Sequence, residues 1–328
     1  MTLRRLDISA RSWPLSEPFV ISRGVQTTSE VIVVQLNQAG LVGRGEAAGV
    51  DYHGETPQSM RAQIESVRFQ IESGASRRHL IELLPAGGAR NAIDAALWDL
   101  EAKESGRTAF ELAGVAQALP VTSAITIGIR SVEAYETRAR ALADYPWIKI
   151  KVSGERALEA IAAVRRGAPR SRLIVDPNQA WTVETLQSLV PNLVDLRVDL
   201  LEQPVAAAAD AGLAHIVCPI PLCADEAADT AADLPRLVDR YDFVNIKLDK
   251  TGGLTAALDF ARAAREAELR LMVGCMVGGS IAMAPAMVLA QQCEVADLDG
   301  PLLQAEDWPD AIEYVNGTMR LPSRALWG

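Results

Sequence analysis

The sequence predicts an α/β protein, a modified (β/α)8 barrel of the TIM type in the form (β/α)7β, with an N-terminal α+β capping domain. From Pro120 onward, eight short apolar runs alternate with amphipathic helical stretches, and successive runs begin 22 to 28 residues apart. Strand-like runs followed by two helical patterns precede them, which is typical of an α+β unit. No glycine-rich fingerprint follows the first barrel run, and this disfavours the alternative of an open doubly wound sheet.

The eight barrel runs are short and apolar, as buried parallel strands require. They are Val121–Ile127, Trp147–Val152, Leu173–Asp176, Asp199–Glu202, Pro221–Asp225, Phe243–Leu248, Leu271–Cys275 and Val295–Leu298. Functional groups in such a barrel lie at the carboxyl ends of the strands, so the residues that close these runs are the candidates for chemistry.

The N-terminal region carries both strand and helix patterns. Alternating or β-branched residues predict strands, and helical periodicity covers 57–73 and 90–104. The predicted strands are Leu3–Ser9, Phe19–Ser22, Glu30–Leu36 and Leu41–Glu46. We therefore expect a cap over residues 1–118, a barrel over 119–303, and a C-terminal segment, 304–328, that packs back on the cap.

Composition excludes several classes of protein. The 328 residues carry a net charge of −10 and an isoelectric point near 5.0, which argues against a nucleic-acid binder. No run of about 20 apolar residues occurs and no apolar segment follows Arg4 and Arg5, so we expect a cytoplasmic protein without a signal peptide or a membrane partner. The four cysteines lack zinc-site spacing, and none of the three histidines ends a convincing strand. Acid–base chemistry must then fall to Lys, Asp, Glu or Tyr.

Three acidic residues close successive runs at near-equal intervals: Asp176, Glu202 and Asp225. A carboxylate at the end of a buried strand is costly to desolvate unless it is paired. Three such groups on successive parallel strands converge, and oxygen ligands at one point suit a hard divalent cation, most naturally Mg²⁺. The sequence therefore predicts a metal site here.

Lysines lie on the strands that flank this acidic set. Lys149 and Lys151 have the same parity on one strand, so both are expected to face the barrel mouth. Neighbouring ammonium groups and a divalent cation would lower the pKa of a lysine toward working pH, which is how a lysine becomes a general base. Beyond the set, Lys247 and Lys250 differ in parity, so only one of them should face inward, with Asp249 on the face of Lys247.

Two further features leave alternatives open. Asp297 and Asp299 share a face at the end of the last run, where they could bind an ammonium group or begin the next helix as N-caps. Gly252-Gly253 and Gly278-Gly279 could form the phosphate site of a phosphate-binding barrel enzyme, although tight turns after strands are the commoner explanation of such pairs.

Five motifs at strand spacing resemble the muconate-lactonising subgroup of the enolase superfamily. In chain order they are Lys149-Ile150-Lys151, Asp176-Pro177-Asn178-Gln179-Ala180-Trp181, Leu201-Glu202-Gln203-Pro204, Ala224-Asp225-Glu226 and Asn245-Ile246-Lys247. The helical stretch Arg90–Leu100 resembles that subgroup as well, so the resemblance covers nearly the whole chain. Within the subgroup, Asp297, Asp299 and the stretch Phe19–Gly24 are similar to the dipeptide epimerases, and most of all to the L-Ala-D/L-Glu epimerases.

The resemblance implies a role for each acidic and basic group at the strand ends. The three carboxylates would hold one Mg²⁺ per subunit, which binds the substrate carboxylate and stabilises the enediolate formed when the α-proton leaves. Lys151 and Lys247 would remove and return that proton on opposite faces of the α-carbon. Lys149 would assist by touching the substrate carboxylate and lowering the pKa of Lys151.

Substrate-binding residues are implied too. Asp297 and Asp299 would hold the α-ammonium of the dipeptide. Arg23 on a cap loop would pair with the distal carboxylate of a C-terminal Glu, since a guanidinium can donate two parallel hydrogen bonds. The rest of the set is Thr126, Cys275 and Tyr52, the last on a loop expected to close the site. Small residues across Gly274–Ser280, where related enzymes differ, leave the N-terminal residue of the dipeptide open.

The implied activity is epimerisation of the C-terminal residue of a dipeptide such as L-Ala-D-Glu, in the recycling of bacterial cell-wall peptide. The nearest alternative is a lyase of the same superfamily, an o-succinylbenzoate synthase or a cycloisomerase, which needs no ammonium pocket. An acid dehydratase would use a histidine late in the barrel, and none follows His215. A catalytically inactive binding protein is disfavoured because the metal carboxylates and both lysines are present. The expected partner is a small dipeptide, and a homo-oligomer is compatible with the sequence.

Overall fold

The structure, a computed structural model, describes residues 4–21, 24–154 and 156–328. Its N-terminal part contains a three-stranded antiparallel sheet of β1 (Arg5–Ile21), β2 (Gly24–Gln38) and β3 (Leu41–Ala47). The described parts of the first two predicted strands belong to the single long strand β1, whose pairing with β2 shifts register between Pro14 and Phe19. Proline has no N–H for the ladder, so an irregularity is expected there.

Five helices follow in the described part of the cap. They are α1 (Pro57–Ser66), α2 (Arg68–Glu72), α3 (Arg77–Leu83), α4 (Gly88–Ser105) and α5 (Ala109–Leu112). The predicted helix 57–73 is interrupted at Val67, whose backbone leaves helical geometry (φ −113°, ψ 8°). Helix α4 packs directly on β3 because Gly43 and Gly45 face it. A Cβ atom at these glycines would lie 2.2 Å from Ala96 O and 2.0 Å from Ala92 O, respectively.

The predicted barrel is confirmed. After β4 (Val121–Thr122), eight parallel strands pair in sequence order to form one sheet. They are β5 (Ile125–Ile127), β6 (Trp147–Lys151), β7 (Arg172–Asp176), β8 (Leu200–Glu202), β9 (Leu222–Ala224), β10 (Phe243–Lys247), β11 (Arg270–Gly274) and β12 (Val295–Asp297). The two ends of the sheet meet where Ala124 N donates to Ala296 O at 2.8 Å.

A ring of buried side chains, one from each barrel strand or the residue before it, fills the bottom of the barrel. Its members are Ala124, Trp147, Ile174, Leu200, Cys223, Phe243, Met272 and Val295. Closure of the sheet turns one face of every strand inward, so each of the eight strands contributes to this cluster.

Helices or 3₁₀ turns follow the barrel strands. The helices are α6 (Val132–Ala141), α7 (Ala157–Gly167), α8 (Val183–Asp195), α9 (Leu248–Thr251), α10 (Leu254–Glu266), α11 (Ser280–Ala290) and α12 (Gly300–Leu303). After β8 and β9 the connections contain the 3₁₀ helices Asp210–His215 and Ala231–Arg236, and a further one, Asp51–His53, lies in the cap. None of the helices in the described ranges is long and apolar enough to cross a membrane.

The predicted run Val121–Ile127 is divided between two sheets. Strand β4 leaves the barrel and pairs with β14 (Thr318–Met319), the second strand of a hairpin that begins with β13 (Tyr314–Val315). An apolar run does not reveal that its two halves have different pairing partners. The tail also contacts the cap, since Trp327 Nε1 donates to Ala95 O at 3.1 Å. The domain boundaries themselves stay a prediction.

Carboxylates of the cap lie at the N-termini of two barrel helices. Asp94 of α4 accepts hydrogen bonds from Thr255 N (3.0 Å) and Thr255 Oγ1 (2.5 Å) at the start of α10. Glu46 of β3 accepts from Gly279 N (2.7 Å), immediately before α11. A phosphate bound at a helix N-terminus would use such N–H groups. Thr255 N and Gly279 N, at or next to the two glycine pairs, are therefore bound by carboxylates of the cap, and Gly252 N and Gly253 N donate to Leu248 O.

We expect Asp94 to make the stability of the protein depend on pH. Burial raises the pKa of Asp94 to about 6, although hydrogen bonds from Thr255 oppose this shift. The folded protein therefore binds this proton more tightly than the unfolded chain, and the resulting stability is present below about pH 4 and is lost as the pH rises through about 6. In Asp94→Asn, the free energy of unfolding should fall less between pH 4 and pH 7 than in the wild type, by about 1.4 kcal/mol for each unit of pKa shift.

Urea denaturation at four pH values would measure this difference. The control is Asp310→Asn, at an exposed residue outside α4 and α10, which should keep the wild-type slope. Equal slopes for Asp94→Asn and the wild type would contradict the expected role of Asp94.

Candidate active site

The inward face of the barrel changes from apolar to largely polar one layer above the buried ring. Two residues after each ring member, on the same face of its strand, stand Thr126, Lys149, Asp176, Glu202, Asp225, Asn245, Gly274 and Asp297. Six of these eight residues were predicted as site residues. The strand period of two is thus the reason that distant parts of the sequence share one layer.

Lys149 is enclosed by this layer. Its Nζ lies 2.8 Å from Asp297 Oδ2, 2.9 Å from Glu202 Oε1 and 3.2 Å from Asp176 Oδ2. The residue is only 2% exposed. Because one ammonium nitrogen touches carboxylates from β7, β8 and β12, these three groups face a common region of the barrel mouth.

Lys151 and Lys247 line one cavity of about 450 Å³ between the cap and the barrel. Lys151 ends β6 and donates to Asp176 Oδ2 (2.6 Å), and Lys247 ends β10 and donates to Asp225 Oδ2 (2.7 Å). These strands are four apart in an eight-stranded barrel, so the two ammonium groups approach the cavity from opposite walls. A more open groove of about 520 Å³ beside Trp98 contains none of the predicted site residues.

Carboxylates around Lys149 and Lys247 make these two lysines hold their protons more tightly than an isolated lysine does. Burial by itself lowers the pKa of Lys149 and of Lys247, but the surrounding carboxylates outweigh it and raise both pKa values above the usual 10.5. The largest opposing charges are Asp297 at Lys149 and Asp225 at Lys247. The lowered pKa predicted for the Lys149–Lys151 pair rested on repulsion between ammonium groups and on a divalent cation, and it did not include the carboxylates around Lys149. A divalent cation bound by the carboxylates would act in the opposite direction.

The carboxylates of Asp176, Glu202 and Asp225 are the candidate ligands of a metal ion. Among the described residues, no three His, Cys, Asp or Glu side chains are gathered as a ready-made site, and lysine ammonium groups contact each of these carboxylates. The donor set nevertheless fits a hard cation because every donor is a carboxylate oxygen. The buried Glu202 Oε2 accepts no hydrogen bond within the described chain and has only an ion-pair contact, at 2.8 Å, with Lys149 Nζ.

Asp297 and Asp299 lie near the half-buried Cys275, where desolvation raises the pKa of the thiol and their charges raise it further. One oxygen of Asp297 accepts from Lys149, and the other, Oδ1, is buried and accepts no hydrogen bond from a described residue. Asp299 is the N-cap residue of α12, as one alternative expected, but its side chain makes no capping hydrogen bond there. Its Oδ2 accepts from Thr126 N at 2.6 Å, and burial together with Asp297 raises the pKa of Asp299 to about 7. The end of β12 is therefore an anionic pocket in which Asp297 Oδ1 receives no hydrogen bond from a described residue.

Tyr52 and Cys275 line the same cavity as the two lysines. Tyr52 lies on the loop of residues 48–56, and burial followed by the charge of Asp225 raises the pKa of its hydroxyl. This cap loop therefore brings an aromatic side chain close to the acidic layer. Arg23 lies outside the described residues, and its role stays a prediction.

Asn245 is a residue of this layer to which the sequence had given no role. Its Nδ2 donates to Glu202 Oε1 at 3.0 Å, beside the hydrogen bond from Lys149 to the same oxygen. Gly274 on β11 makes room for it, since a Cβ atom there would lie 2.6 Å from Asn245 Oδ1. The sequence contained the information to place Asn245 in this layer, because Asn245 has the same strand parity as Lys247, two residues later.

Lys250 was also missed, because strand parity placed it away from Lys247. In the structure Lys250 Nζ donates to Asp225 Oδ1 (2.8 Å) and to Asp225 O (2.5 Å), while Lys247 holds the other carboxylate oxygen. Strand β10 ends at Lys247, and the helical turn α9 begins at the next residue. In a helical turn, residues three apart lie on the same side, so Lys247 and Lys250 both reach Asp225. The lysines outweigh burial and hold the pKa of Asp225 well below its usual value. Asp249 points toward the cap instead of sharing the face of Lys247.

Comparison with known proteins gives one family for both parts of the chain. Residues 132–325 match the family described as Enolase C-terminal domain-like, and residues 4–114 match the Mandelate racemase / muconate lactonizing enzyme, N-terminal domain. The L-Ala-D/L-Glu epimerase of Escherichia coli (strain K12) is 40% identical over 97% of this chain and 100% of that protein. The N-acetyl-D-glutamate racemase of Pseudoalteromonas sp is also 40% identical, over 91% of this chain and 95% of that protein.

Solved structures agree with this assignment. One is an enolase family member from Agrobacterium tumefaciens with homology to dipeptide epimerases, solved with bound sodium and L-Ala-L-Glu. It superposes on this chain with a TM-score of 0.97 at 38% sequence identity, and the match covers 99% of this chain and 100% of that one. Dipeptide epimerases at 26 to 30% identity have been solved in complex with Mg and a dipeptide. With a capped barrel, a polar layer of carboxylates and lysines, and relatives that match nearly end to end, the chain belongs to the mandelate racemase / muconate lactonizing enzyme family of the enolase superfamily and is an isomerase of the epimerase/racemase type.

Proposed function

We propose that this isomerase is a metal-dependent dipeptide epimerase that inverts the α-carbon of the C-terminal residue of L-Ala-D-Glu and L-Ala-L-Glu. The observation that carries the proposal is the position of Lys151 and Lys247 on opposite walls of one cavity. Inversion requires a proton to leave one face of a carbon and to return on the other. Two lysines separated by a substrate-sized space supply the base that takes the proton and the acid that returns it.

In the proposed mechanism one lysine acts as an amine and the other as an ammonium ion. For one stereoisomer Lys151 Nζ takes the α-proton, and Lys247 Nζ gives a proton to the opposite face of the same carbon. For the other stereoisomer the roles are exchanged. Lys149 is buried among carboxylates and does not line the cavity, which supports an assisting role rather than that of a proton carrier.

Asp176, Glu202 and Asp225 would hold one Mg²⁺, in keeping with their oxygen donors and with the ions found in solved relatives. When bound, this ion would offset the negative charge that develops on the substrate carboxylate as the α-proton leaves.

The remaining substrate contacts follow from the charges that a dipeptide carries. Asp297 Oδ1 is a buried acceptor, so it suits the α-ammonium group, with Asp299 and Thr126 beside it. Cys275 and Tyr52 would contact the bound dipeptide from the cavity wall, and Arg23 would pair with the distal carboxylate of Glu. The E. coli relative acts on L-Ala-D/L-Glu by its name. Such a dipeptide comes from bacterial cell-wall peptide, so a role in murein peptide recycling forms part of this proposal.

Racemisation of an N-acylated glutamate is the second candidate, and the Pseudoalteromonas relative favours it. It would use the same lysines and the same carboxylates. The difference lies at the anionic pocket, because an N-acetyl group carries no positive charge for Asp297 and Asp299 to hold.

Proton NMR in D₂O with Mg²⁺ tests both candidates on L-Ala-D-Glu, L-Ala-L-Glu and N-acetyl-D-glutamate. We expect the Glu α-proton signal of each dipeptide to disappear while the other diastereomer forms. If neither dipeptide exchanges and N-acetyl-D-glutamate does, the second candidate replaces the first. If none of the three exchanges, the assignment of glutamate-containing substrates is wrong.

Asp297→Asn separates the candidates within one protein. The side chain keeps its shape but loses its charge, so kcat/KM for the dipeptides should fall by about 10- to 100-fold, which corresponds to a lost charged hydrogen bond. Turnover of an N-acetylated substrate should change little. An equal loss for both substrate classes would contradict a pocket that recognises the ammonium group.

A further inference from the structure

The cap loop of residues 48–56, called the lid loop below, forms one wall of the active-site cavity. Its lining residues include Gly49, Asp51, Tyr52 and Glu55. Tyr52 is close enough to Asp225 and Lys247 for their charges to influence the pKa of its hydroxyl. The position of this loop therefore decides the shape of the cavity beside Lys247.

Two carboxylates hold the backbone of the lid loop. Glu55 Oε2 accepts from Val50 N (2.8 Å) and from Gly88 N (3.0 Å), which fastens the loop to the start of α4 within the cap. Asp249 Oδ1 accepts from Gly49 N (2.9 Å), which fastens the loop to the barrel. The loop thus has a carboxylate anchor in each part of the molecule, and His53 Nε2 also lies 3.4 Å from Asp229 Oδ2 of the barrel.

The barrel anchor belongs to the same helical turn that follows Lys247. Lys247 is the N-cap residue of α9, and Asp249 and Lys250 lie within that turn. Lys250 binds Asp225 on the barrel side, and Asp249 binds Gly49 on the cap side. The turn is consequently held from both sides, and Asp249 links its position to that of the lid loop.

Asp249 is not among the residues that line the cavity, and its carboxylate is bonded to the cap backbone at Gly49 N. Its carboxylate receives a further hydrogen bond from Asn91, and burial raises its pKa to about 7 despite these donors. A buried carboxylate is costly to desolvate, so its position calls for hydrogen-bond partners that compensate. The contact with Gly49 N provides one.

We propose that Asp249 is a positioning residue that ties the lid loop to the turn carrying Lys247, and so sets the width of the cavity between Tyr52 and Lys247. This inference deepens the proposed function and rests on it only for the effect on substrate. The mechanical part, an anchored lid loop, holds for any substrate of this site.

Asp249→Ala tests the anchor by two independent readouts. Amide hydrogen exchange, followed by mass spectrometry without substrate, should be about tenfold faster in peptides covering residues 48–56, as expected for the loss of one hydrogen bond. For the substrate that the wild type turns over, KM should rise about tenfold while kcat changes less. Asp249→Asn keeps an oxygen that can accept from Gly49 N, so it should retain wild-type exchange and KM.

The matched control is Asp94→Ala, which removes another buried carboxylate between cap and barrel but should accelerate exchange only near the start of α10. Unchanged exchange of the lid loop in folded Asp249→Ala would overturn the proposal. So would faster lid exchange in Asp249→Asn, which decides the question if the alanine variant does not fold. Since exchange is measured without substrate, failure of the dipeptide assignment leaves this test intact.

Discussion

Replacement of Lys151 or Lys247 by alanine should abolish epimerisation while leaving half of the proton chemistry in place. Each variant keeps one lysine, and that lysine faces only one side of the α-carbon. General acid–base groups typically contribute about 10²- to 10⁴-fold to a rate, and we expect kcat for epimerisation to fall by at least that factor. Each variant should still exchange the α-proton of one stereoisomer with D₂O, and the two variants should act on opposite isomers.

Chiral chromatography for inversion and proton NMR for exchange measure these outcomes separately. Lys103→Ala is the matched control, because Lys103 also pairs with a buried carboxylate, Asp99, at 2.7 Å but lies outside the cavity. It should retain both inversion and exchange. If Lys151→Ala still epimerises at the wild-type rate, the two-lysine mechanism is wrong.

Removal of the metal is the second change from which we expect a large loss of activity. Chelation of the purified protein is expected to eliminate turnover, and Mg²⁺ should restore it. Glu202→Gln should lower kcat by about 10²- to 10³-fold, the range for loss of one preorganised electrostatic stabiliser. Glu202 is preferred to Asp225 for this test. Replacing Asp225 would leave Lys247 and Lys250 without their carboxylate partner, whereas Lys149 keeps Asp176 and Asp297 when Glu202 is changed.

A measurement without substrate makes the metal prediction independent of activity. At Mg²⁺ concentrations of about 100 times Kd, binding should stabilise the wild-type protein by about 2.7 kcal/mol and raise its unfolding temperature. The thermal shift should be much smaller in Glu202→Gln. An identical Mg²⁺-dependent shift in both proteins would show that the ion binds elsewhere.

The sequence determined the barrel and most of its polar layer. Strands have a period of two, so parity predicted that Lys149 and Lys151 share a face and that Asp297 and Asp299 do, while position at the strand ends predicted that Asp176, Glu202 and Asp225 converge. The spacing of the runs fixed their order around the sheet. Both inferences depend on local geometry that each short segment imposes by itself, which is why they could be made without coordinates.

Tertiary structure alone decided which charged groups pair and where regular strands end. Strand β10 gives way to a helical turn at Lys247, so Lys250 joins the acidic layer and Asp249 turns to the cap, against the parity rule. The raised pKa of Lys247 likewise depends on Asp225, a residue far away in sequence. Run spacing and parity indicate which residues share a layer, but charge pairing and pKa values depend on distances of a few ångströms between side chains from different strands. Those distances are set when the barrel closes and the cap packs against it.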